Sequence, residues 1–371
     1  MLNKRFTFLT LGLAAAALVL WGVGGQASAD LPTGAQLSSI GALEFGPDGT
    51  LFAGDNSGAS IYAFQIAGAS ASGDREAVRD LDAKVAALLG AGPRDVFIKD
   101  MAVHPESRDV YLSVMRGQGT DARPALVRVD ATGVVTNEPL GSLPYSKLQL
   151  DDAPGAPAEG ARRDPRTLTI TDLAVIDGEL FVAGLSNEEF ASVLRRAPIP
   201  FTGEAAATGL EIYHGAHGKY ETHAPIYAFM PLDIGGEDHL LAGYLCTPLV
   251  TFPLADVRSE EKLRGKTVAE LGFGNVPIDI LGFERGGTDY VLMTNSRRGT
   301  MLMRADDIVA AQGAEGISSE VPGVVAGVEY LTSPLGHVLQ IADYDQDNIV
   351  MLTRDPENGS LNLGTRGKRW L

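Results

Sequence analysis

A repeated pattern of short apolar strands constrains the fold more than any other feature of the sequence. Six segments each contain an apolar strand, a turn, a second strand that usually ends in a small residue, a polar turn and a third strand. The second strands are Thr50–Gly54, Val110–Val114, Leu180–Gly184, Leu240–Gly243, Tyr290–Thr294 and Leu339–Asp343. Their last residues lie 49 to 70 positions apart. Hairpins at this spacing indicate a repeat in which each unit is one small antiparallel sheet.

The segments on either side of the second strands complete this pattern. The first strands are Gly41–Phe45, Asp100–Val103, Asp172–Ile176, Pro225–Phe229, Asp279–Phe283 and Val328–Leu331. The third strands are Ser60–Phe64, Ala125–Val129, Ser192–Arg195, Leu249–Phe252, Thr300–Arg304 and Asn348–Leu352. Glycine, aspartate and proline supply the turns that hairpins require. The sequence therefore predicts an all-β fold, a β-propeller of six blades packed face to face around a channel.

Two other arrangements fit parts of the sequence. A seventh blade would have to lie in residues 131–165, but this stretch is rich in Pro, Ala, Asp and Arg and is more typical of a long loop. A two-sheet sandwich would not need six matching units. Short helical insertions are predicted at Arg75–Leu89 and Ala305–Gln312. The repeat resembles the general class of secreted bacterial propellers with six or seven blades, although it carries no motif of a named enzyme family.

The N-terminus predicts export. Two basic residues precede an uncharged, mostly apolar run over residues 6–23, and Ala27–Ala29 forms a small-x-small cleavage site. This layout is that of a secretory signal peptide, with an uncleaved membrane anchor as the alternative. We therefore expect residues 1–29 to be a signal peptide and residues 30–371 to form a single propeller domain in the periplasm.

Charge and motifs exclude several functions. The chain has a net charge of −17, and loss of the signal peptide makes it −19. So acidic a protein repels phosphate, which argues against nucleic acid and anionic membrane surfaces as partners. The sequence contains no P-loop, no dinucleotide-binding glycine motif and no Gly-x-Ser-x-Gly elbow. We expect neither NTP nor NAD chemistry, and no membrane contact after signal cleavage.

Three of the six histidines lie within ten residues of one another. His214, His217 and His223 precede the first strand of the fourth repeat, and Gly215 and Gly218 exclude a regular helix there. By strand alternation this connection belongs to the face where propellers usually bind ligands. Imidazole is a common ligand of copper and zinc, and three histidines with an open fourth position are typical of catalytic metal sites. The alternative is a solvated loop whose histidines form local hydrogen bonds.

Neighbouring residues extend this predicted metal site. Cys246, the only cysteine, lies in the turn between the second and third strands of the same repeat, which places it on the same face. A thiolate beside imidazoles favours copper or zinc, and we expect copper before zinc. The alternative is a buried, inert thiol. Tyr220 and Glu221 lie inside the histidine run and are candidate catalytic residues for proton transfer at the metal.

Three aspartates form a second candidate site. Asp100, Asp172 and Asp279 stand at or just before the first strands of three repeats, so a propeller places them at the mouth of its channel. Converging carboxylates can bind calcium through oxygen ligands. Six-bladed hydrolases that open lactones and esters resemble this arrangement in outline. An aspartate at a strand start can equally cap a turn.

These patterns predict a periplasmic metalloprotein, an oxidoreductase of the copper type that acts on a small molecule at the histidine site. Its protein partner would be a periplasmic electron-transfer or metal-transfer protein. Two alternatives stay open. One is a calcium-dependent lactonase or esterase that uses the channel aspartates. The other is a metal carrier or protein-binding scaffold without enzymatic activity.

Overall fold

The computed structural model describes residues 31–68, 75–155, 164–245, 248–272, 274–321 and 325–371. The predicted signal peptide lies outside these ranges. The described chain forms six small antiparallel sheets in a ring, with few short helices. This confirms the prediction of an all-β, six-bladed propeller. No helix within the described ranges is long and apolar enough to span a membrane.

The strands are numbered in chain order. The first eight are β1 (Leu43–Phe45), β2 (Thr50–Asp55), β3 (Ser60–Gln65), β4 (Val96–Val103), β5 (Val110–Arg116), β6 (Arg123–Val129), β7 (Val135–Glu138) and β8 (Tyr145–Gln149). The next ten are β9 (Asp172–Ile176), β10 (Glu179–Leu185), β11 (Ser192–Pro198), β12 (Ala206–His214), β13 (Lys219–Glu221), β14 (Ile226–Ile234), β15 (Glu237–Tyr244), β16 (Pro248–Pro253), β17 (Lys262–Arg264) and β18 (Lys266–Glu270). The others are β19 (Pro277–Arg285), β20 (Thr288–Asn295), β21 (Met301–Arg304), β22 (Ala326–Gly327), β23 (Leu331–Thr332), β24 (Val338–Asp343), β25 (Asn348–Arg354) and β26 (Leu361–Gly367). The α-helices are α1 (Leu81–Leu89), α2 (Leu254–Ser259) and α3 (Ala305–Gly313).

Each blade is one sheet whose strands follow one another outwards from the channel. From the innermost strand to the outermost, blade 1 is β1-β2-β3-β8, blade 2 is β4-β5-β6-β7, and blade 3 is β9-β10-β11-β12-β13. Blade 4 is β14-β15-β16-β18-β22, blade 5 is β19-β20-β21-β23, and blade 6 is β24-β25-β26. Strand β17 pairs in parallel with β12 near the edge of blade 3.

The order of the blades around the ring differs from their order along the chain. Strand β1 packs between β4 and β9, and β24 packs between β19 and β4. The ring therefore runs in the order 2-1-3-4-5-6 and closes between blades 6 and 2. The chain leaves blade 1 after β3, builds blade 2 on one side, and returns to add β8 to blade 1 before it continues to blade 3. The sequence repeat predicts the blades but not this reversal.

Apolar clusters fill the junctions between neighbouring blades. Phe52 and Ile61 of blade 1 pack with Leu173 and Leu180 of blade 3. The junction of blades 2 and 6 also buries Leu81 of α1. The four other junctions contain clusters of the same kind. Because every cluster draws residues from two blades, burial of apolar surface stabilises the ring as a whole.

Close packing explains why second strands end in small residues. A Cβ at Gly184 would lie 2.0 Å from the carbonyl oxygen of Thr169, and a Cβ at Gly54 would lie 2.9 Å from the Ile170 side chain. Both glycines therefore meet the segment that enters blade 3. This close approach leaves no room for a side chain at either position.

The last repeat is shifted relative to the sequence prediction. Val328–Leu331, predicted as the first strand of the sixth blade, instead reaches blade 5, where Leu331 begins the outermost strand β23. The predicted second strand is the innermost strand β24, and β26 is an additional strand. His337 therefore precedes an innermost strand and lies on the face of the connections between blades. Short apolar segments look alike in sequence, so only packing decides which of them lines the channel.

Two further predictions concern segments between the repeats. Residues 131–165, considered for a seventh blade, supply the outer strands β7 and β8 in their described part. Helices α1 and α3 lie within or close to the two predicted insertions. The sequence pattern did not predict helix α2.

Candidate functional site

Two of the predicted metal ligands lie on a tight hairpin at the outer edge of blade 3. Strand β12 ends at His214, which pairs with Lys219 at the start of β13. In the loop 215–218, the His217 N–H donates to the His214 carbonyl oxygen at 3.0 Å. Gly218 has a φ of +63°, a conformation that favours glycine. The loop brings the His214 and His217 rings to 3.9 Å between centroids.

Both imidazoles converge on one carboxylate. His214 Nδ1 lies 2.9 Å from Glu221 Oε2, and His217 Nδ1 lies 2.7 Å from Glu221 Oε1. One potential ligand atom from each of the three residues lies within 4.8 Å of the others. Among the described His, Cys, Asp and Glu residues, this is the one group of three or more with that property. The hairpin thus presents a His–His–Glu donor set.

Burial and hydrogen bonding set the charges of this group. His214 is 1% exposed, and burial lowers the pKa of its imidazole despite the bond to Glu221. Burial alone would raise the pKa of Glu221, but its hydrogen bonds with His214 and His217 outweigh burial and lower it. A neutral imidazole and an anionic carboxylate are the protonation states that bind metal ions.

Glu270 of β18 fixes the hairpin loop from the side of blade 4. Its Oε1 accepts a hydrogen bond from the Gly215 N–H at 2.5 Å. The Val321 N–H donates to the Gly215 carbonyl oxygen at 2.9 Å, and a Cβ on Gly215 would lie 2.9 Å from the Val321 side chain. Burial raises the pKa of Glu270 to about 7, although backbone N–H groups of the loop oppose this. The loop is therefore clamped between two neighbouring segments.

The group lies at the rim of the propeller. Strands β12 and β13 are the fourth and fifth strands of blade 3 from the centre. The loop that joins them lies on the face where the sequence places the histidines, but not over the channel. The His217 side chain is 39% exposed, and Lys219 Nζ lies 3.4 Å from Glu221. Solvent therefore reaches the donor set from the His217 side, while His214 is buried.

The structure does not bring His223 or Tyr220 into this group. His223 is exposed and does not belong to it. Tyr220 is 45% exposed, packs edge-on against Tyr213 and lies under the Arg264 guanidinium. Because neighbouring residues of a strand point to opposite sides, Tyr220 points away from Glu221. Cys246 lies outside the described residues.

The structure suggests a different role for one of the predicted catalytic residues and leaves the other predicted roles untested. Glu221, predicted to transfer protons, stands where a metal ligand would stand. Metal ligation by His223 and Cys246, and catalysis by Tyr220 and Glu221, stay predictions.

Buried aspartates join the blades around the channel. Asp100 Oδ2 of blade 2 accepts a hydrogen bond from the Leu43 N–H of blade 1 at 2.7 Å. Its Oδ1 accepts the N–H of Met101 in its own strand at 2.8 Å. Asp172 and Asp279 form the same pair of bonds with blades 4 and 6. Each aspartate thus satisfies backbone donors of two neighbouring innermost strands.

Two further side chains act in the same way. Glu44 of blade 1 accepts a hydrogen bond from the Val175 backbone of blade 3. Gln340 Nε2 of blade 6 donates to the Lys99 carbonyl oxygen of blade 2 at 2.9 Å. We call the five residues of this type the channel clasps, and they are Glu44, Asp100, Asp172, Asp279 and Gln340. Together they bridge five of the six junctions between neighbouring blades.

The acidic clasps line a channel cavity of about 310 Å³. Its described lining holds five carboxyl groups and no basic side chain. Burial raises the pKa of Glu44 and of Asp279 to about 8 and that of Asp100 to about 7. Burial, together with the Asp100 and Asp279 charges, also raises the pKa of Asp172. The aspartates face the channel, as the sequence predicts, but backbone N–H groups already occupy their oxygens.

Comparisons with known proteins assign no family to the chain. No protein family description and no curated protein matches the chain. It is similar to the extracellular domain of a one-component system from B. thetaiotaomicron, with 10% identity, a TM-score of 0.34 and 90% of this chain covered. The chain spans 39% of that protein's length. A luciferin-regenerating enzyme is similar at 8% identity and a TM-score of 0.30, with 90% of this chain and 94% of that chain covered.

The class is therefore defined by the sheets themselves. Six antiparallel sheets around a channel make this chain a six-bladed β-propeller. Its described residues carry the His–His–Glu group at the rim and the channel clasps.

Sequence reasoning missed Glu44, Glu270 and Gln340. A signal was available for Glu44, which is the one charged residue in the apolar segment Gly41–Phe45. No local signal marks Glu270, because its partner Gly215 is 55 residues away. The repeat places Gln340 in a second strand, and its position beside the channel follows only from the shift of the last repeat.

Proposed function

We propose that this protein binds a divalent transition metal ion at the rim of blade 3 through His214, His217 and Glu221. The observation that carries the proposal is the convergence of their ligand atoms within 4.8 Å. Two histidines and a carboxylate suit zinc, iron, nickel or copper, and they leave coordination positions open for water or a small molecule. The clamp by Glu270 supports the proposal, because residues that orient ligands strengthen metal sites.

Copper is the metal that we propose first. Cu²⁺ stands highest in the affinity order of divalent ions for nitrogen and oxygen ligands. An ion with open positions at an exposed rim can meet both a small-molecule substrate and a protein partner. The copper-type oxidoreductase expected from the sequence is the enzymatic form of this proposal, and a metal carrier is its non-enzymatic form.

Metal retention tests the proposal directly. The purified protein, stripped with a chelator, loaded with copper or zinc and dialysed, should retain about one equivalent. His217→Ala and Glu221→Gln should each lower the affinity about tenfold or more. His337→Ala is the matched control, because this exposed histidine lies away from the group. Retention below about 0.2 equivalents in the wild-type protein would overturn the proposal.

Two further variants test the ligands expected from the sequence. If the metal is held as the geometry suggests, His223→Ala and Cys246→Ser should leave the affinity unchanged. A loss of about tenfold in either variant would add that residue to the ligand set.

The enzymatic and carrier forms differ in turnover. A copper oxidoreductase should be reduced by an added electron donor and reoxidised by an added electron acceptor repeatedly, with the Cu²⁺ paramagnetic signal lost on each reduction and regained on each oxidation. A carrier should release its copper once, in stoichiometric amount, to a competing ligand. Glu221→Gln should impair both processes and thereby locate them at the rim.

A further inference from the structure

A small cleft on blade 2 brings two arginines together. The cleft has a volume of about 310 Å³ and lies between helix α1 and the hairpin of β5 and β6. Arg116, the last residue of β5, lies directly opposite Arg123, the first residue of β6, and both line the cleft. Like charges directly opposite each other in a sheet are unfavourable. Folding alone therefore does not account for this pair.

Nearby carboxylates do not neutralise the two arginines. Asp109 and Glu138 of the same blade pair with Arg128 instead. Asp95, beside the hairpin, accepts a hydrogen bond from Gln118 Nε2 at 3.0 Å. The described lining of the cleft contains no acidic side chain, and no ion pair between described residues includes either cleft arginine. The cleft is thus locally basic in a chain whose net charge is −17.

Several hydrogen-bond donors in the cleft remain available to a ligand. Arg123 Nη1 donates to the carbonyl oxygens of Thr120 and Ala122, at 3.0 and 2.9 Å, which fixes one edge of this guanidinium. Its other nitrogens and the exposed Arg116 guanidinium donate to no described residue. Asn137 of β7 also lines the cleft and carries an amide donor. Paired guanidinium donors of this kind match the geometry of a carboxylate.

The other walls of the cleft are apolar. They are formed by Leu88 and Leu89 of α1 and by Pro124 and Ala125 of β6. Leu88 is 40% exposed, and Leu89 and Ala125 pack against the apolar cluster between blades 2 and 6. The volume of the cleft is at the lower end of the range for small-molecule sites. Its lining therefore combines two positive charges with hydrocarbon.

We propose that this arginine cleft binds a small organic anion, a carboxylate with an apolar chain or ring. The two guanidinium groups hold the carboxylate, and the apolar part covers Leu88 and Ala125. The bound anion offsets the repulsion between Arg116 and Arg123. The cleft does not depend on the rim site, because blade 1 lies between blade 2 and blade 3 in the ring.

Calorimetric titration with sodium octanoate and with sodium benzoate tests the proposal on the chelator-treated protein. At least one of them should bind saturably, with about one equivalent per chain and a Kd below about 1 mM. Inorganic phosphate lacks the apolar part, and 1-octanol lacks the charge. Each should bind at least about tenfold more weakly. The proposal is overturned if neither carboxylate binds below about 1 mM, or if phosphate or octanol binds as tightly.

Variants then locate the carboxylate. Arg116→Gln and Arg123→Gln should each weaken its binding about tenfold, because each removes one charged donor group. Leu88→Ser should weaken it about fivefold through loss of apolar contact. Arg297→Gln is the matched control, because this exposed arginine lies in the corresponding hairpin of blade 5. Binding that is unchanged in both cleft variants would overturn the proposal.

Stability without a ligand separates a binding role from a structural one. Because Arg116 and Arg123 repel each other, Arg116→Gln should keep or raise the Tm of the ligand-free protein. The carboxylate should raise the Tm of the wild type and have less effect on this variant. A Tm that falls by more than about 3 °C in ligand-free Arg116→Gln would show that the arginine serves the fold, and this too would overturn the proposal.

Discussion

The Asp279 carboxylate on blade 5 accepts the backbone N–H of Ile341 on blade 6 at 2.9 Å. Its other oxygen accepts the N–H of Ile280 in its own strand at 2.8 Å. An innermost strand has no neighbouring strand on its channel side, so the backbone donors on that side need other partners. The aspartate supplies them for two sheets at once, and a ring of separate sheets is thereby joined by side-chain bonds as well as by apolar packing.

Removal of this clasp should destabilise the protein. Asp279→Ala leaves two buried N–H groups without acceptors, and we expect a loss of about 2–4 kcal/mol in the free energy of unfolding. Asp279→Asn keeps one acceptor oxygen and should lose less. Urea unfolding measures both. Asp121→Ala, an exposed aspartate of blade 2, is the control and should stay within about 0.5 kcal/mol of the wild type. Equal stability of Asp279→Ala and this control would contradict the role assigned to the clasp.

The channel acids should make the protein less stable as the pH rises. The pKa values of Glu44 and Asp279 are raised to about 8 and that of Asp100 to about 7, from ordinary values of 4.5 for Glu and 3.8 for Asp. The folded state therefore keeps protons that the unfolded state has released. This stabilisation is complete below about pH 4 and is lost as the pH rises through about 8.

Thermal unfolding in the presence of a chelator checks this direction of the pH dependence of stability. The Tm should fall between about pH 5 and pH 9, and Glu44→Gln should make the decline shallower because its amide does not ionise. A Tm that stays level or increases over this range would show that the channel acids ionise in the folded protein as they do in water.

The hydrogen bond between Glu270 and the hairpin loop should affect metal affinity only because it positions the loop. Glu270→Ala removes the acceptor for the Gly215 N–H, and we expect transition-metal affinity to fall about 10- to 100-fold. Glu270→Gln retains an acceptor oxygen and should recover most of that loss. Equilibrium competition with a chromophoric chelator gives both affinities. Similar affinities for Glu270→Ala and the wild type would mean that the loop is held without this bond.

A methyl group at Gly184 should disrupt the start of blade 3. Its Cβ would lie 2.0 Å from the Thr169 carbonyl oxygen, which is backbone and cannot rotate away. We expect Gly184→Ala to cost about 3 kcal/mol or more, or to prevent folding. Gly141→Ala is the control, because nothing lies within 4 Å of a Cβ there. Comparison of soluble yield and of thermal unfolding distinguishes the two variants, and equal behaviour would contradict the close approach.

The sequence alone determined the local units of this protein. Alternating apolar residues and Gly, Asp and Pro turns specify strands and hairpins within a few residues, so six repeats and the propeller followed from them. The same local logic identified a glycine-flanked loop that carries His214 and His217. It also identified aspartates at the starts of the first strands. These features need no knowledge of distant residues.

Only the tertiary structure decided how these units are placed. The reversed position of blade 2 and the shift of the last repeat depend on which apolar faces pack together, and this is a property of the whole ring. Asp279 meets a partner 62 residues away, and Glu270 meets one 55 residues away. Bonds of this kind leave no periodic trace in the sequence, because each requires a single polar side chain at a single position. The third donor of the rim group is Glu221, where the sequence predicted His223. The pairing of β12 with β13 brings Glu221 beside the histidines, and local sequence does not reveal that pairing.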